Sequence, residues 1–287
     1  MIWLLYTLLC ALLVSLKDVI LKKILGESNI LIISLGFYLI SIALIFPYLF
    51  IIDIPKLDLT FWIMCLIILP FDISSLLLYY KAIKISPLSI CMPFLSLTPF
   101  FLILTSFIIL RELPDKSGLA GIVLVVLGAY VLNIHDIKSG FFSPFKSILK
   151  EKGAILMILV AFIFSISSNM VKIAINHSSP AFFSIVYNSF LIPVLLILSL
   201  LNARSEFSQL IRYKKFILLG GICLAGSIVL NNLAIKLALV PYFISVKRSS
   251  IIFDIILGSI IFKEKNISSK LFGSFIMIAG IILITFH

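Results

Sequence analysis

Charge is the scarcest component of this chain. Asp, Glu, Lys and Arg make up 12% of it, and only 12 of its 287 residues are acidic. Soluble domains carry about twice that share of charge, so an ordinary soluble fold is excluded. The stretches between apolar runs are short and leave no room for a soluble catalytic or receptor domain. Histidine is almost missing: His135, His177 and His287 sit at the ends of apolar runs without ligand spacing, so no metal is expected. Cys10, Cys65, Cys91 and Cys223 fall inside apolar runs with no CxxC spacing. They read as small apolar fillers, not as metal ligands or a disulfide framework. HExxH, GxSxG and paired acidic metal motifs are all lacking, which argues against an enzyme, and no cofactor is expected. The first apolar run starts at Ile2 without a basic leader or a cleavage site after it, so it reads as a retained helix.

What the chain has is hydrophobic length. It is 62% hydrophobic, with a mean hydropathy of +1.27. A helix needs about 20 apolar residues to cross the hydrocarbon layer. Ten segments qualify: 2–24, 30–52, 59–80, 88–110, 117–134, 154–176, 181–201, 216–237, 241–262 and 269–286. The fold expected is an all-α integral membrane protein of ten transmembrane helices. Its partners would be the lipid bilayer and a small-molecule substrate. The net charge of +11 suits anionic headgroups, not nucleic acid. A monomer or weak homodimer is expected.

The ten spans fall into two sets of five. At an offset of 152 residues, Ala82, Ile83 and Lys84 recur as Ala234, Ile235 and Lys236, and Glu112 recurs as Glu264. Gly121 and Gly128 recur as Gly273 and Gly280. At an offset of 150, Ala11, Ser15 and Lys22 recur as Ala161, Ser165 and Lys172. An odd number of spans per repeat inverts the second copy. Inverted repeats build secondary transporters whose substrate site lies near the midplane between the halves. The division expected is a first repeat over 1–135, a connection over 136–153 and a second repeat over 154–287. Within the connection, Ser143-Pro144 can start a short interfacial helix that ends near Gly153, although a basic linker fits the same residues. Pro70, Pro93, Pro99 and Pro193 interrupt their spans and predict kinks. The glycine pairs, seven residues apart, predict close helix packing.

The strings "ILRELPDKSGLAGIVLVVLGAYVL", "IFKEKNISSKLFGSFIMIAGIILI" and "FSISSNMVKIAI" resemble the drug/metabolite transporter superfamily, and within it the EamA-like branch. The resemblance covers essentially the whole chain, and its motifs are architectural. It implies a substrate basket that works by alternating access, in the plasma (inner) membrane of a bacterium. It also implies cytoplasmic termini. Basic residues give the opposite orientation: 16 of the 23 lie in or beside connections 1–2, 3–4, 5–6, 7–8 and 9–10, and five in the other set. The positive-inside rule then puts both termini outside the cytoplasm.

Charges present in one repeat only are the candidates for function. Lys247 and Arg248 correspond to Leu95 and Ser96, Asp254 to Leu102, and Asp72 to Leu224. A charge at the centre of a span costs about 2.5–3.5 kcal/mol on insertion scales, so each is expected to face a cavity or a partner. At about 1.5 Å per residue, Lys247, Arg248, Asn169, Asn188, Asn231 and Asn232 fall at one depth. Asp72 and Asp254 fall at another. The first group, with Ser250, is expected to bind substrate, and the two aspartates are candidates for a coupling proton. Lys247, Ser250, Asp254 and Gly258 would share one stripe on a continuous span 9, which favours Asp254 over Asp72. Asp18 could join the carboxylates or pair with Lys17 at the interface. Ser167 and Ser168 could line the cavity or bond to helix carbonyls. The doublet in "SVKRSSIIFDIILGSIIF" is similar to a Lys-Arg pair that grips phosphate in plastid sugar-phosphate translocators. The function expected is transport of a small polar, anionic metabolite, by proton coupling or exchange. A flippase for a lipid-linked sugar or phosphate is the alternative, and a membrane-embedded enzyme built on Asp72 and Asp254 is a remote one.

Overall fold

Helix termini and breaks repeat between the two halves of the chain in the registers that the sequence suggests. The computed structural model describes residues 1–24, 28–85, 94–133, 152–262 and 267–286. No strand occurs among the described residues. The helices are α1 (Ile2–Ile24), α2 (Ile30–Ile45), α3 (Leu59–Ile85), α4 (Thr98–Leu110), α5 (Lys116–Asn133), α6 (Lys152–Asn176), α7 (Pro180–Asn202), α8 (Lys214–Leu237), α9 (Val240–Lys247), α10 (Ser250–Phe262) and α11 (Ile267–Thr285). Short helical turns follow α2 and precede α8. Six segments are long and apolar enough to cross a membrane: α1, α2 with its extension to Phe50, α3, α6, α7 and α8. α4, α5 and α11 are shorter apolar helices. The start of span 4 with Cys91 and Pro93, most of the 136–153 connection with its expected interfacial helix, Glu264, His135 and His287 lie outside the described residues.

Local chemistry explains the shared boundaries. Asn29 caps α2 by accepting from the Leu31 amide at 3.0 Å. Ser179, 150 residues on, caps α7 by accepting from Phe182 at 3.2 Å, with Pro180 in the first turn. Spans 4 and 9 break at the same place. The Leu97 amide turns back to Phe94 at 3.2 Å, and the Ser249 amide to Val246 at 2.9 Å. Each helix then resumes with Phe101 to Leu97 and Phe253 to Ser249. These are tight 3₁₀-type turns. Pro99 in the first turn of α4 supplies a reason for the first break; no residue accounts for the second. α3 and α7 run on through Pro70 and Pro193.

The break corrects one expectation. Span 9 is not one continuous helix: Lys247 ends α9 and Asp254 lies in α10, beyond the turn at Arg248–Ser249.

Packing repeats as well. A Cβ on Gly121 would fall 2.7 Å from the Gly280 carbonyl oxygen, and one on Gly280 would fall 2.6 Å from that of Gly121. A Cβ on Gly128 would lie 2.7 Å from the Gly273 oxygen. α5 and α11 therefore cross backbone to backbone. α1 packs on α8 as α6 packs on α3. Large apolar side chains such as Leu5, Leu66, Phe100, Leu104, Leu201 and Phe275 point outward, as lipid contact requires.

Polar contacts sort the connections between two ends of the bundle. The Asn29 amide N–H donates to Gln209 at 2.7 Å, and its side chain to Glu206 at 3.0 Å, joining connections 1–2 and 7–8. This end is called the basic face here. At the opposite end, the Glu112 face, Asp58 before α3 meets His177 after α6 at 2.6 Å. There Glu112 also meets Lys172 and accepts from the Val240 amide at 3.0 Å.

Candidate functional site

α3 carries Asp72, Ser75, Leu76 and Tyr79 at helical 3–4 spacing, and all four line one cavity of about 390 Å³. α2 contributes Ser34, Phe37 and Tyr38 to it, α7 Leu191 and Leu195, and the segment before α4 Leu95. Its mouth is at the basic face, where Lys17 and Asp18 pair at 2.8 Å with side chains 24% and 44% exposed. Asp18 thus pairs locally and also lines the cavity.

Asp72 is the charged group within this wall. Its carboxylate accepts from the Tyr187 hydroxyl and from Ser167, and among the described residues no cation lies within ion-pair distance. Ser168 turns to its own helix, donating to the Phe164 carbonyl at 2.7 Å. Asp254 is held elsewhere, accepting from Ser15 of α1 at 2.5 Å, and it does not line the cavity. The two aspartates do not share a site, which removes the geometry that an intramembrane aspartic enzyme needs. Asp72 lies on the cavity wall, and Asp254 is not among the residues that line it.

The cationic group assembles beside the cavity. Lys247 donates to Asn231 at 2.6 Å and lies over the Phe243 ring at 5.7 Å. Asn231 donates to Asn232 at 3.1 Å, Asn232 to the Ser184 hydroxyl at 2.8 Å, and Asn188 to the Ser184 carbonyl at 2.5 Å. Five of the expected binding residues or their neighbours thus form one chain across α7, α8 and α9. Arg248 crosses to the other repeat, donating to Thr98 at 2.7 Å, and Thr98 donates to the carbonyl of Leu95 in the cavity wall at 2.7 Å. Arg248 Nε and Ser249 Oγ are buried without a hydrogen-bond partner among the described residues. Ser250 opens α10 just past the break. Asn169 stands apart, donating to Thr105 at 3.1 Å and to the Ser165 carbonyl at 2.8 Å.

At the Glu112 face, three acids of the first half hold the second half closed. Lys172, only 7% exposed, pairs with Glu112 and donates to the Ala238 carbonyl at 2.6 Å. Asp115 accepts from the Tyr242 hydroxyl. Asp58 completes the set with His177. The Phe61 amide, and then His177, hold the Asp58 carboxyl below the usual carboxylate range. This last tie therefore persists until pH falls through that lowered value. Sequence reading found Glu112 and Lys172 as recurring residues but missed their pairing. Tyr187, Ser184 and Thr98 gave no signal, because lone hydroxyls in apolar spans are common, and Ser15 recurs as Ser165 without announcing its bond to Asp254.

Among the described residues, the helical bundle thus holds a cavity with Asp72 on its wall and Lys17 and Asp18 toward the basic face, while ion pairs join the two halves at the Glu112 face. Among solved structures, 26 chains match it. One of them, described only as "Crystal structure of protein", aligns with a TM-score of 0.76 at 14% identity, covering 99% of this chain and 96% of that chain. That likeness shows the fold. No curated protein sequence matches. The model of the EamA-like transporter family matches residues 1–134 and again 151–286, nearly the whole chain in two copies. With six long apolar helices and a two-repeat architecture, the chain belongs to the EamA-like transporter family, a family of multi-pass membrane transporters.

Proposed function

We propose that this protein is a secondary transporter that carries a small polar metabolite with an anionic group across a bacterial plasma membrane by alternating access. Ten crossings in two inverted repeats form its body, with each broken span counted once. The observation that carries the reading is the state of Lys247 and Arg248. Both stand inside a span, and among the described residues both are hydrogen-bonded only to neutral oxygens, Asn231 and Thr98. A cation kept in that setting needs a counter-charge, and an anionic substrate brings one. Arginine offers it a planar fork and lysine a point charge. Asp72 on the cavity wall carries the coupling proton.

The recognition claim is tested by measuring ligand binding to purified variants. Arg248→Lys keeps the charge and loses the fork, and should weaken binding by roughly tenfold or more, about 1.5–3 kcal/mol for one charge-assisted hydrogen bond. Unchanged binding in both Lys247→Ala and Arg248→Ala would reduce the doublet to a structural feature. For coupling, Asp72→Asn should abolish accumulation driven by a pH gradient in liposomes while exchange continues. Accumulation equal to the parent's moves the proton site elsewhere.

A further inference from the structure

The two connections joined at the basic face carry a concentration of positive charge that the cavity does not use. Over residues 22–29 and 202–215 stand six basic residues, Lys22, Lys23, Arg204, Arg212, Lys214 and Lys215, against two acids, Glu27 and Glu206. All six are exposed. Glu206 is engaged by side-chain amides: Asn29 donates to it at 3.0 Å and Gln209 at 2.8 Å. The bond from the Asn29 amide N–H to Gln209 at 2.7 Å holds connection 1–2 against connection 7–8. α1 packs along α8, and its last turn meets the first turn of α8, where Lys23 Nζ lies 5.6 Å from the centre of the Phe216 ring. Ile24, Tyr213 and Ile217 are buried in one cluster beneath these cations, with Leu21, Leu210 and Phe216 packed against it. Apolar side chains border the same patch on the outside. Ile211 is 75% exposed beside Arg212, and Leu201 is 77% exposed at the end of α7. Leu218 and Leu219 face outward one turn beyond Lys214 and Lys215.

We propose that the end of α1, the turns at 204–212 and the start of α8 form a binding site for the headgroup of an anionic phospholipid, whose acyl chains lie along Ile211, Leu218 and Leu219. Charge complementarity selects an anion, because each Lys or Arg at the bilayer surface adds to the attraction for anionic lipid. The apolar border selects a lipid over a soluble anion. Side chains such as Ile211 gain nothing from a small hydrated ion, whereas acyl chains cover them. The site also adjoins the cavity. Leu21, Phe37 and Leu224 belong to the cluster beneath the cations and line the cavity as well. A lipid that holds the end of α1 against α8 thereby braces the cavity wall near its mouth.

Thermal unfolding of the purified full chain in a neutral detergent tests this, since a ligand of the folded state raises the midpoint once its concentration exceeds its Kd. The readout is independent of transport. Phosphatidylglycerol should raise the parent's midpoint saturably, while phosphatidylcholine of the same chain length and soluble glycerol phosphate should not. Lys23→Gln, Lys214→Gln and Lys215→Gln combined should shift the response to roughly tenfold higher lipid concentration or more. Lys56→Gln, Lys81→Gln and Lys116→Gln combined remove the same charge from exposed positions outside the patch, and should respond as the parent does. Ile211→Gln should weaken the response with every cation in place. Retention of phosphatidylglycerol through size exclusion repeats the comparison for any variant whose own midpoint moves without lipid. Equal weakening in the two triple variants would overturn the inference, reducing the patch to diffuse charge. A response to glycerol phosphate equal to that for phosphatidylglycerol would overturn it in favour of a soluble anion.

Discussion

Replacing Glu112 with alanine should destabilise the folded protein by about 3–5 kcal/mol, the usual cost of leaving one partner of a buried ion pair alone. Glu112 binds Lys172, accepts from the Val240 amide at 3.0 Å and receives Ser106 at 3.5 Å. It thereby fastens α4, α6 and the start of α9 together. Without it, Lys172 keeps a neutral partner, the Ala238 carbonyl, and no counter-ion. The melting midpoint in detergent should fall by on the order of 10 °C. Glu112→Leu combined with Lys172→Leu should recover most of the loss, since replacing a buried pair by apolar groups is often neutral. A midpoint within a degree or two of the parent's in Glu112→Ala would mean that the tie is ornamental. A loss that the double substitution does not restore would assign it to the Val240 cap instead of the ion pair.

A second large effect is expected at the crossing of α5 and α11. Gly128→Leu must place a Cβ 2.6 Å from the Met277 amide nitrogen and 2.7 Å from the Gly273 oxygen. Backbone atoms cannot swing aside, so the helices must separate, which exceeds the ordinary overpacking cost of about 1–3 kcal/mol. Gly128→Leu should lose most of its monodisperse yield on size exclusion. Gly226→Ala is the control. Its Cβ would meet only the far end of the Leu13 side chain, at 2.7 Å, and its yield should match the parent's. Equal yields for both variants would show that the crossing is looser than the structure has it.

Both effects were partly legible in the sequence, and the reason is the repeat. A residue that recurs at a fixed offset must serve something common to both halves, which marked Gly121, Gly128, Glu112 and Lys172 before any coordinates. Periodicity located the apolar spans because lipid imposes a length on each of them. The break in span 9 was not legible, since no proline or glycine stands at Arg248–Ser249. That miss propagated, because the preference for Asp254 assumed a continuous helix, and it is Asp72 that lines the cavity. Depth arithmetic did bring Lys247, Asn188, Asn231 and Asn232 to one level, since depth along a span depends only on rise per residue. It could not show that Asn169, at the same depth, faces Thr105 and not the others. Facing depends on helix rotation, which a run of uniformly apolar residues leaves unspecified.

Transport itself can be measured without naming the substrate beforehand. Purified protein is reconstituted into liposomes loaded with a panel of isotopically labelled small metabolites: anionic, neutral and cationic. Release is followed beside protein-free liposomes and liposomes carrying Arg248→Ala. The account predicts that at least one anionic member leaves parent liposomes faster than either control, and that excess of the same compound outside accelerates its exit by exchange. Release from parent liposomes no faster than from Arg248→Ala liposomes across the anionic members, or acceleration confined to cationic members, would contradict it.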